Sequence, residues 1–153
     1  MDQIPDNLIF SYSSMLKVPE KVWNSIDTHA PNWNIHAFDS TQSQRFLETH
    51  FGKEHVETFC EMSGENRSDY FKYFALYILG GVYVDVNTIL DSNLNLVFED
   101  RTKNYINSTR TLVASRPKNP ILKDFIDQRY NFSKNHEWVV LDKFNSSYSD
   151  FPW

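Results

Sequence analysis

Cysteine is almost absent from this chain. Cys60 is the only one in 153 residues, which excludes an intramolecular disulfide and a cysteine-built zinc site. Long apolar runs are missing as well, and nothing approaches the roughly 18 consecutive apolar residues of a membrane span. The opening MDQIPDNLIF lacks a basic start followed by an apolar run, so no signal peptide is expected and a cytoplasmic location is the simpler expectation. Basic excess is lacking too: the net charge of −5 argues against a nucleic-acid partner, which needs a positive face. No H-E-x-x-H or similar histidine pair occurs, so His29, His36, His50 and His55 are read as structural or solvated. Repeats and low-complexity segments are absent.

What the chain has is aromatic bulk. Twelve Phe and eight Tyr within a 16% aromatic content argue for a real core and against disorder. The length suits one domain, expected over residues 1–153. Strand signals at Leu8–Phe10, Trp33–Phe38, Val82–Asn87 and Thr111–Ser115 are separated by helical signals. The helices are expected at Pro19–His29, Gln42–His50, His55–Met62, Ser68–Leu79 and Ile121–Tyr130. This alternation predicts an α/β domain. Cys60 is expected to pack inside, and Glu99–Asn107, charged and without period, is expected to form an exposed loop.

One stretch carries most of the chemistry: Arg67–Asn87, RSDYFKYFALYILGGVYVDVN. Phe71, Phe74, Ala75 and Ile78 recur at helical spacing, with Asn66 or Ser68 as the candidate cap. Gly80-Gly81 stops the helix, and Val82-Tyr83-Val84 starts a strand. From Asp69 to Leu79 a helix climbs about 15 Å. Val82 to Asn87 returns roughly 16 Å as a strand. Asp69 and Lys72 are therefore expected level with Asp85 and Asn87, whose side chains share one side of the strand. Oxygen-bearing Asp85 and Asn87 suit a hard divalent cation, and a lysine nearby can balance phosphate charge as a point charge.

The run S-D-x-x-K-Y-x-x-L-Y-x-x-G-G-V-Y-x-D-x-N resembles the signature of sugar-transferring enzymes with a DXD motif. It is most similar to glycosyltransferase family 32, which includes yeast initiating mannosyltransferases, with glucosylating bacterial toxins as more distant relatives. Asp69, Tyr73, Leu76, Gly80, Gly81, Tyr83 and Asp85 match at intact spacing. Lys72 stands where the family has Arg, and Asn87 where it has the second Asp. The resemblance implies a single GT-A-like, Rossmann-like mixed sheet flanked by helices, with a short C-terminal part. It also implies metal-assisted transfer of a hexose, with retention, from a UDP- or GDP-sugar to a glycan, lipid or protein hydroxyl. Asp69, Lys72 and Asp85 would be the catalytic group, with Asp85 and Asn87 holding Mn²⁺ or Mg²⁺.

Around this block the resemblance implies further donor contacts. Ser11 and Tyr12 lie at the end of the opening strand, where ligands of open α/β sheets bind, and an ordinary polar turn is the other reading. Tyr83 sits within the block, and Ser115 and Asn119 lie in S-x-P-x-x-P-x-L beside the transferred sugar. Asp39 fits either a nucleotide contact or, better, a helix cap. His136 and Asp142 are the candidates for a late metal or phosphate contact. Lys72 and Asn87 also support an alternative: a degenerate member of the same fold that binds a nucleotide sugar or partner protein without catalysis. A purely structural α/β domain with solvated acids is the third reading.

Overall fold

The computed structural model describes residues 3–131, 137–141 and 145–147. His136 and Asp142 lie outside them. The chain begins with β1 (Asn7–Ser11), α1 (Glu20–His29), β2 (Asn34–Phe38), α2 (Ser40–His50) and α3 (Lys53–Glu61). It continues with α4 (Gly64–Leu79), β3 (Gly81–Val84), β4 (Thr88–Leu90), α5 (Leu94–Val97) and β5 (Asn104–Ile106). β6 (Leu112–Ser115), α6 (Pro120–Ile126), β7 (Trp138–Val140) and β8 (Asn145–Ser147) follow. Six strands form a mixed sheet in the order β2-β1-β3-β6-β5-β7, and β4 pairs with β8 in a second, two-stranded sheet.

Strand alternation divides the core into two layers. Leu8, Phe10, Val82, Val84, Leu112 and Ala114 face one side with Val22 and Ile26 of α1. Ile9, Tyr83 and Val113 face the other, against Phe71, Phe74, Ala75 and Leu76 of α4 and Leu122 of α6. Both faces of the sheet are thus covered, as expected where parallel strands are joined through helices.

The topology fixes where a ligand belongs. β1 runs parallel to both β2 and β3, so the chain winds away from β1 in one direction and returns on its other side. That reversal opens a crevice between the carboxyl ends of β1 and β3, the place where open α/β sheets bind ligands. Pairing of Leu8 with Val82 and Ile9 with Tyr83 brings Ser11 level with Asp85.

The α4–β3 reversal explains why two glycines stand together. Gly80 and Gly81 have φ of 66° and 127°, in the region that side chains rarely adopt. A Cβ on Gly81 would lie 2.3 Å from the Asn7 carbonyl oxygen, so β1 leaves no room for one. Asn7 Nδ2 donates to the carbonyls of Leu79 and Gly80, both at 3.2 Å, and locks the turn onto the sheet.

Several expectations are corrected. The central helix begins at Gly64, with Ser63 as N-cap, so Asp69 lies in its second turn rather than its first. β3 ends at Val84, and a turn closes with Thr88 N–H donating to Asp85 O at 2.9 Å. Asn87 is therefore on a turn and does not alternate with Asp85 along a strand. Within the expected loop Glu99–Asn107, Asn104–Ile106 is a buried strand, because it fills the gap between β6 and β7. Cys60 is exposed: Phe59 takes the buried position of α3 instead. The last described helix stops at Ile126, four residues before the expected Tyr130. Asp39 caps α2 in a two-way capping box, with Gln42 N–H donating to Asp39 Oδ1 at 2.8 Å.

Candidate active site

α4 delivers the central groups. Ser68, Phe71, Lys72 and Ala75 fall three and four apart, so they share the helix face that packs on the sheet. Ser68 Oγ reaches Ser11 Oγ at 3.2 Å, and Ser11 Oγ reaches the Tyr83 hydroxyl at 2.8 Å. This buried hydroxyl chain joins α4, β1 and β3 beneath the crevice. Burial raises the pKa of the Tyr83 phenol, and the Asp85 and Asp69 charges add to that effect. The phenol therefore keeps its proton and holds the floor in place.

One turn further on, Lys72 is 3% exposed, unusual for an ammonium without partners. Its Nζ donates to Asp69 Oδ1 at 3.2 Å and to the backbone carbonyl of Arg110. Burial lowers the Lys72 pKa, Asp69 and then Asp85 push it back up, and the charge of Arg110 lowers it. Asp69 itself is 61% exposed and opens to solvent at the pocket.

Asp85 closes the group from the end of β3. Burial pushes its carboxyl up to about 6, against the attraction of Lys72; Asp69 raises it further, and the N–H groups of Val86 and Asn87 lower it. Its backbone N–H donates to Thr111 O at 2.8 Å, which fastens Asp85 to the start of β6. Asp85 Oδ1 is buried and has no hydrogen-bond partner among the described residues. A buried acceptor left unpaired is costly, and a cation or a donor would offset that cost.

The β5–β6 connection forms the far wall. Asn107 Oδ1 accepts from Leu112 N–H at 3.0 Å and its Nδ2 donates to Thr111 Oγ1 at 2.8 Å. Arg110 has φ of 58°, a conformation uncommon outside glycine. Burial pushes the nearby Tyr73 phenol up, and the charge of Arg110 pulls it partly back. Asp69, Lys72, Tyr73, Thr109, Arg110 and Phe125 surround a cavity of about 210 Å³. A second cavity of about 330 Å³ shares Asp69, Tyr73 and Phe125 with it.

The structure thus brings Asp69, Lys72 and Asp85 together, with Asn87 on the turn just beyond. Ser11 adjoins them through Ser68 and Tyr83. Tyr12 shares a small, hydroxyl-lined hollow with Ser11, Ser40, Ser43 and Ser68. Ser115 and Asn119 are not brought in. Ser115 pairs with Gly81 at the start of β3, roughly 13 Å of strand from Asp85. Asn119 is 1% exposed; it caps α6 through Ile121 N–H and donates to Asn104 Oδ1 and Ser115 Oγ. Their polar groups are used in packing.

Arg110 lines the cavity of Asp69 and Lys72 and accepts from Lys72 through its carbonyl, a placement not expected from the sequence. Its only sequence signal is an arginine in N-S-T-R-T ahead of a strand, and no spacing links it to Asp69.

No His, Cys, Asp and Glu cluster of three or more groups around a metal position among the described residues, and none of their helices is long and apolar enough to cross a membrane. The donor set does suit one class of cation. Mg²⁺-like ions bind through one or two carboxylates and complete their shell with water and substrate phosphates, and a carboxylate oxygen such as Asp85 Oδ1 is of the chemical type they take.

No curated protein sequence matches the chain. Among solved structures, the fold is similar to "PaToxG Glycosyltransferase", with a TM-score of 0.51 and 12% identity, over 82% of this chain. The chain spans 60% of the length of that structure. The architecture is a GT-A-like mixed α/β sheet flanked by helices. Residues 16–107 match the family described as "Glycosyltransferase sugar-binding region containing DXD motif", a segment holding Asp69, Lys72, Asp85 and Asn87. The chain belongs to this DXD-containing glycosyltransferase family.

Proposed function

We propose that this protein transfers a hexose from a nucleoside-diphosphate sugar to an acceptor hydroxyl. Within its family it fits the family 32 branch by motif spacing. One observation carries the reading above the others: the unpaired, buried Asp85 Oδ1 lies at the β1–β3 switch point, charge-coupled to Lys72 and Asp69. Nothing in the packing of the sheet requires an acid there, and its desolvation opposes folding.

In this reading Asp85 and the Asn87 side-chain carbonyl would hold Mn²⁺ or Mg²⁺. The cation would supply stabilisation of the charge that develops on the departing nucleotide. Asp69, exposed in the cavity, accepts hydrogen bonds from sugar hydroxyls, which a carboxylate can do without donating any itself. Lys72 keeps Asp85 ionised next to Asp69; without that cation the two acids would repel one another. Ser11, Tyr12 and the floor under them receive the nucleoside end, at the carboxyl end of β1. Transfer follows the family in retaining anomeric configuration. Ser115 and Asn119 have no part in it.

The pairing of Lys72 with both acids favours an active enzyme over a degenerate one. A buried lysine costs desolvation, and here its charge serves carboxylates that the fold does not need. The test is turnover of a panel of UDP- and GDP-sugars with Mn²⁺ and no acceptor, read as slow release of free hexose. Hydrolysis of one donor, lost in the Asp85→Ala variant, is the expected result. No hydrolysis of any donor, and no transfer when acceptors are added, would leave the non-catalytic reading standing.

A further inference from the structure

The two cavities that meet at Asp69 differ in chemistry. The smaller, of about 210 Å³, has Lys72 and Arg110 in its wall as well as Asp69. In the larger, of about 330 Å³, Asp69 is the one charged group among the described lining residues. That volume lies near the lower end of small-molecule sites, about 300–1,000 Å³, and suits a short ligand. Asp69, Tyr73 and Phe125 belong to both walls, so a molecule in one cavity abuts the other.

The sequence gives the larger cavity an apolar floor and a polar rim. α4 contributes Asn66, Asp69, Tyr70, Tyr73 and Phe74, which fall three and four apart on one helix face. Phe74 and Ile126 are buried and form the floor. The Tyr70 hydroxyl hydrogen-bonds His55 Nδ1 at 2.8 Å, and its ring lies 4.8 Å from that of Phe74. Phe125 is sandwiched between Tyr73 at 4.1 Å and Tyr130 at 3.9 Å. The aromatic wall is thus fixed before a ligand arrives, which lowers the ordering cost of binding. Asn66, Asp69 and Gln128 are exposed at the rim. Asn66 Nδ2 donates to Ser63 Oγ at 3.0 Å, and Gln128 ends α6 in a turn closed by its N–H on Phe125 O at 3.1 Å.

This combination selects a ligand class. A pyranose has apolar C–H faces and a rim of hydroxyls that both donate and accept. The amides of Asn66 and Gln128 offer both roles, and Asp69 accepts. An acyl chain would cover these three groups without pairing them, at a cost in desolvation. An anion would meet Asp69 with no cation in the described wall. Asp69 can serve both cavities, since Lys72 engages Oδ1 and a carboxylate has a second oxygen.

We infer that the larger cavity is the acceptor site and that the acceptor is a neutral saccharide, seated against Tyr70 and Tyr73 with its hydroxyls on Asn66, Asp69 and Gln128. This inference rests on the transferase reading and names the acceptor class for it.

Two variants outside the donor cavity test it. Asn66→Trp fills the rim, and Gln128→Gly removes an amide while suiting the left-handed backbone, φ 57°. Saturation-transfer NMR, without donor, would titrate lactose, maltose, cellobiose and mannobiose into each protein, with N-acetyltyrosinamide and octanol for comparison. Donor hydrolysis in Mn²⁺ and melting temperature would be measured on the same proteins. One saccharide should bind wild type, about tenfold or more weakly in Asn66→Trp and about threefold or more weakly in Gln128→Gly. Donor hydrolysis and melting temperature should match wild type, since neither residue lines the donor cavity. Saccharide affinity unchanged in both variants would overturn the site, and preference for the tyrosine amide or octanol would overturn the ligand class. Donor hydrolysis with no saccharide bound would overturn the inference and leave the proposed function intact. Saccharide binding with neither hydrolysis nor transfer of any donor would refute the transferase reading, and the acceptor role with it.

Discussion

Asp85→Asn should make this protein more stable while disabling its site. The Asp85 carboxyl is pushed from 3.8 up to about 6, mainly because burial disfavours its charge. Each pKa unit corresponds to about 1.36 kcal/mol, so at neutral pH the ionised group opposes folding by about 3 kcal/mol. An asparagine of nearly the same volume removes that charge. Its amide must turn its oxygen toward the N–H groups of Val86 and Asn87, and Lys72 loses one partner, so a net gain of about 2 kcal/mol is the working figure. For a chain of this size that raises the melting temperature by roughly 4–8 °C. The pH dependence follows in sign from the raised native pKa. Stability supplied by the protonated form is complete below about pH 4 and is lost as pH rises through about 6. The advantage of Asp85→Asn should therefore be small at pH 4, grow between pH 4 and 6, and hold constant above. Added Mn²⁺ should close the gap by stabilising wild type alone, by about 1.4 kcal/mol at ten times its dissociation constant. Scanning calorimetry across pH, with and without Mn²⁺, measures all of this. An Asp85→Asn variant that melts below wild type at pH 7, or a difference that does not vary with pH, would refute the reasoning.

Three other perturbations test separate parts of the structure. Lys72→Met removes the cation that opposes the upward shift of Asp85, so the pH at which Mn²⁺ binding sets in should move up by on the order of one unit; titration of Mn²⁺ binding against pH reads the shift, and an unmoved midpoint would contradict the Lys72–Asp85 coupling. Gly81→Ala places a Cβ 2.3 Å from Asn7 O and should cost more than about 3 kcal/mol in urea unfolding, whereas a loss under about 1 kcal/mol would mean that the α4–β3 turn is built differently. Asn119→Ala removes a cap and two buried side-chain hydrogen bonds, so a loss of about 1–3 kcal/mol with unchanged nucleotide affinity is expected; weakened binding at full stability would return Asn119 to the site.

The sequence was most legible where one residue type has one physical use. Gly80-Gly81 marked the reversal because no other residue fits between α4 and Asn7, and the matched lengths on either side correctly brought Asp69 and Lys72 toward Asp85. Asp39 read as a cap because it stands just ahead of the helical run Gln42–His50, and the structure adds the capping box with Gln42. Legibility failed where tertiary packing decides. Polar Ser68 and Lys72 gave no sign of burial, yet α4 lies between the sheet and α2, α3 and α6, leaving little of its surface in water. The short strand Asn104–Ile106 has too few residues to show a period, and it exists because β6 and β7 flank it. Asn119 came in through the S-x-P-x-x-P-x-L resemblance, and a pattern cannot show that its amide is taken up by the α6 cap, Asn104 and Ser115. Arg110 escaped notice because its position depends on a hairpin loop that folds back over α4, a relation between residues 38 positions apart.

The most direct measurement is a calorimetric titration of UDP- and GDP-sugars into wild type and Asp85→Ala, each with and without Mn²⁺. The expected result is tight binding of one donor to wild type only when Mn²⁺ is present, with that dependence gone in Asp85→Ala. Donor binding that ignores both the metal and the Asp85 substitution would place the ligand elsewhere and contradict the account.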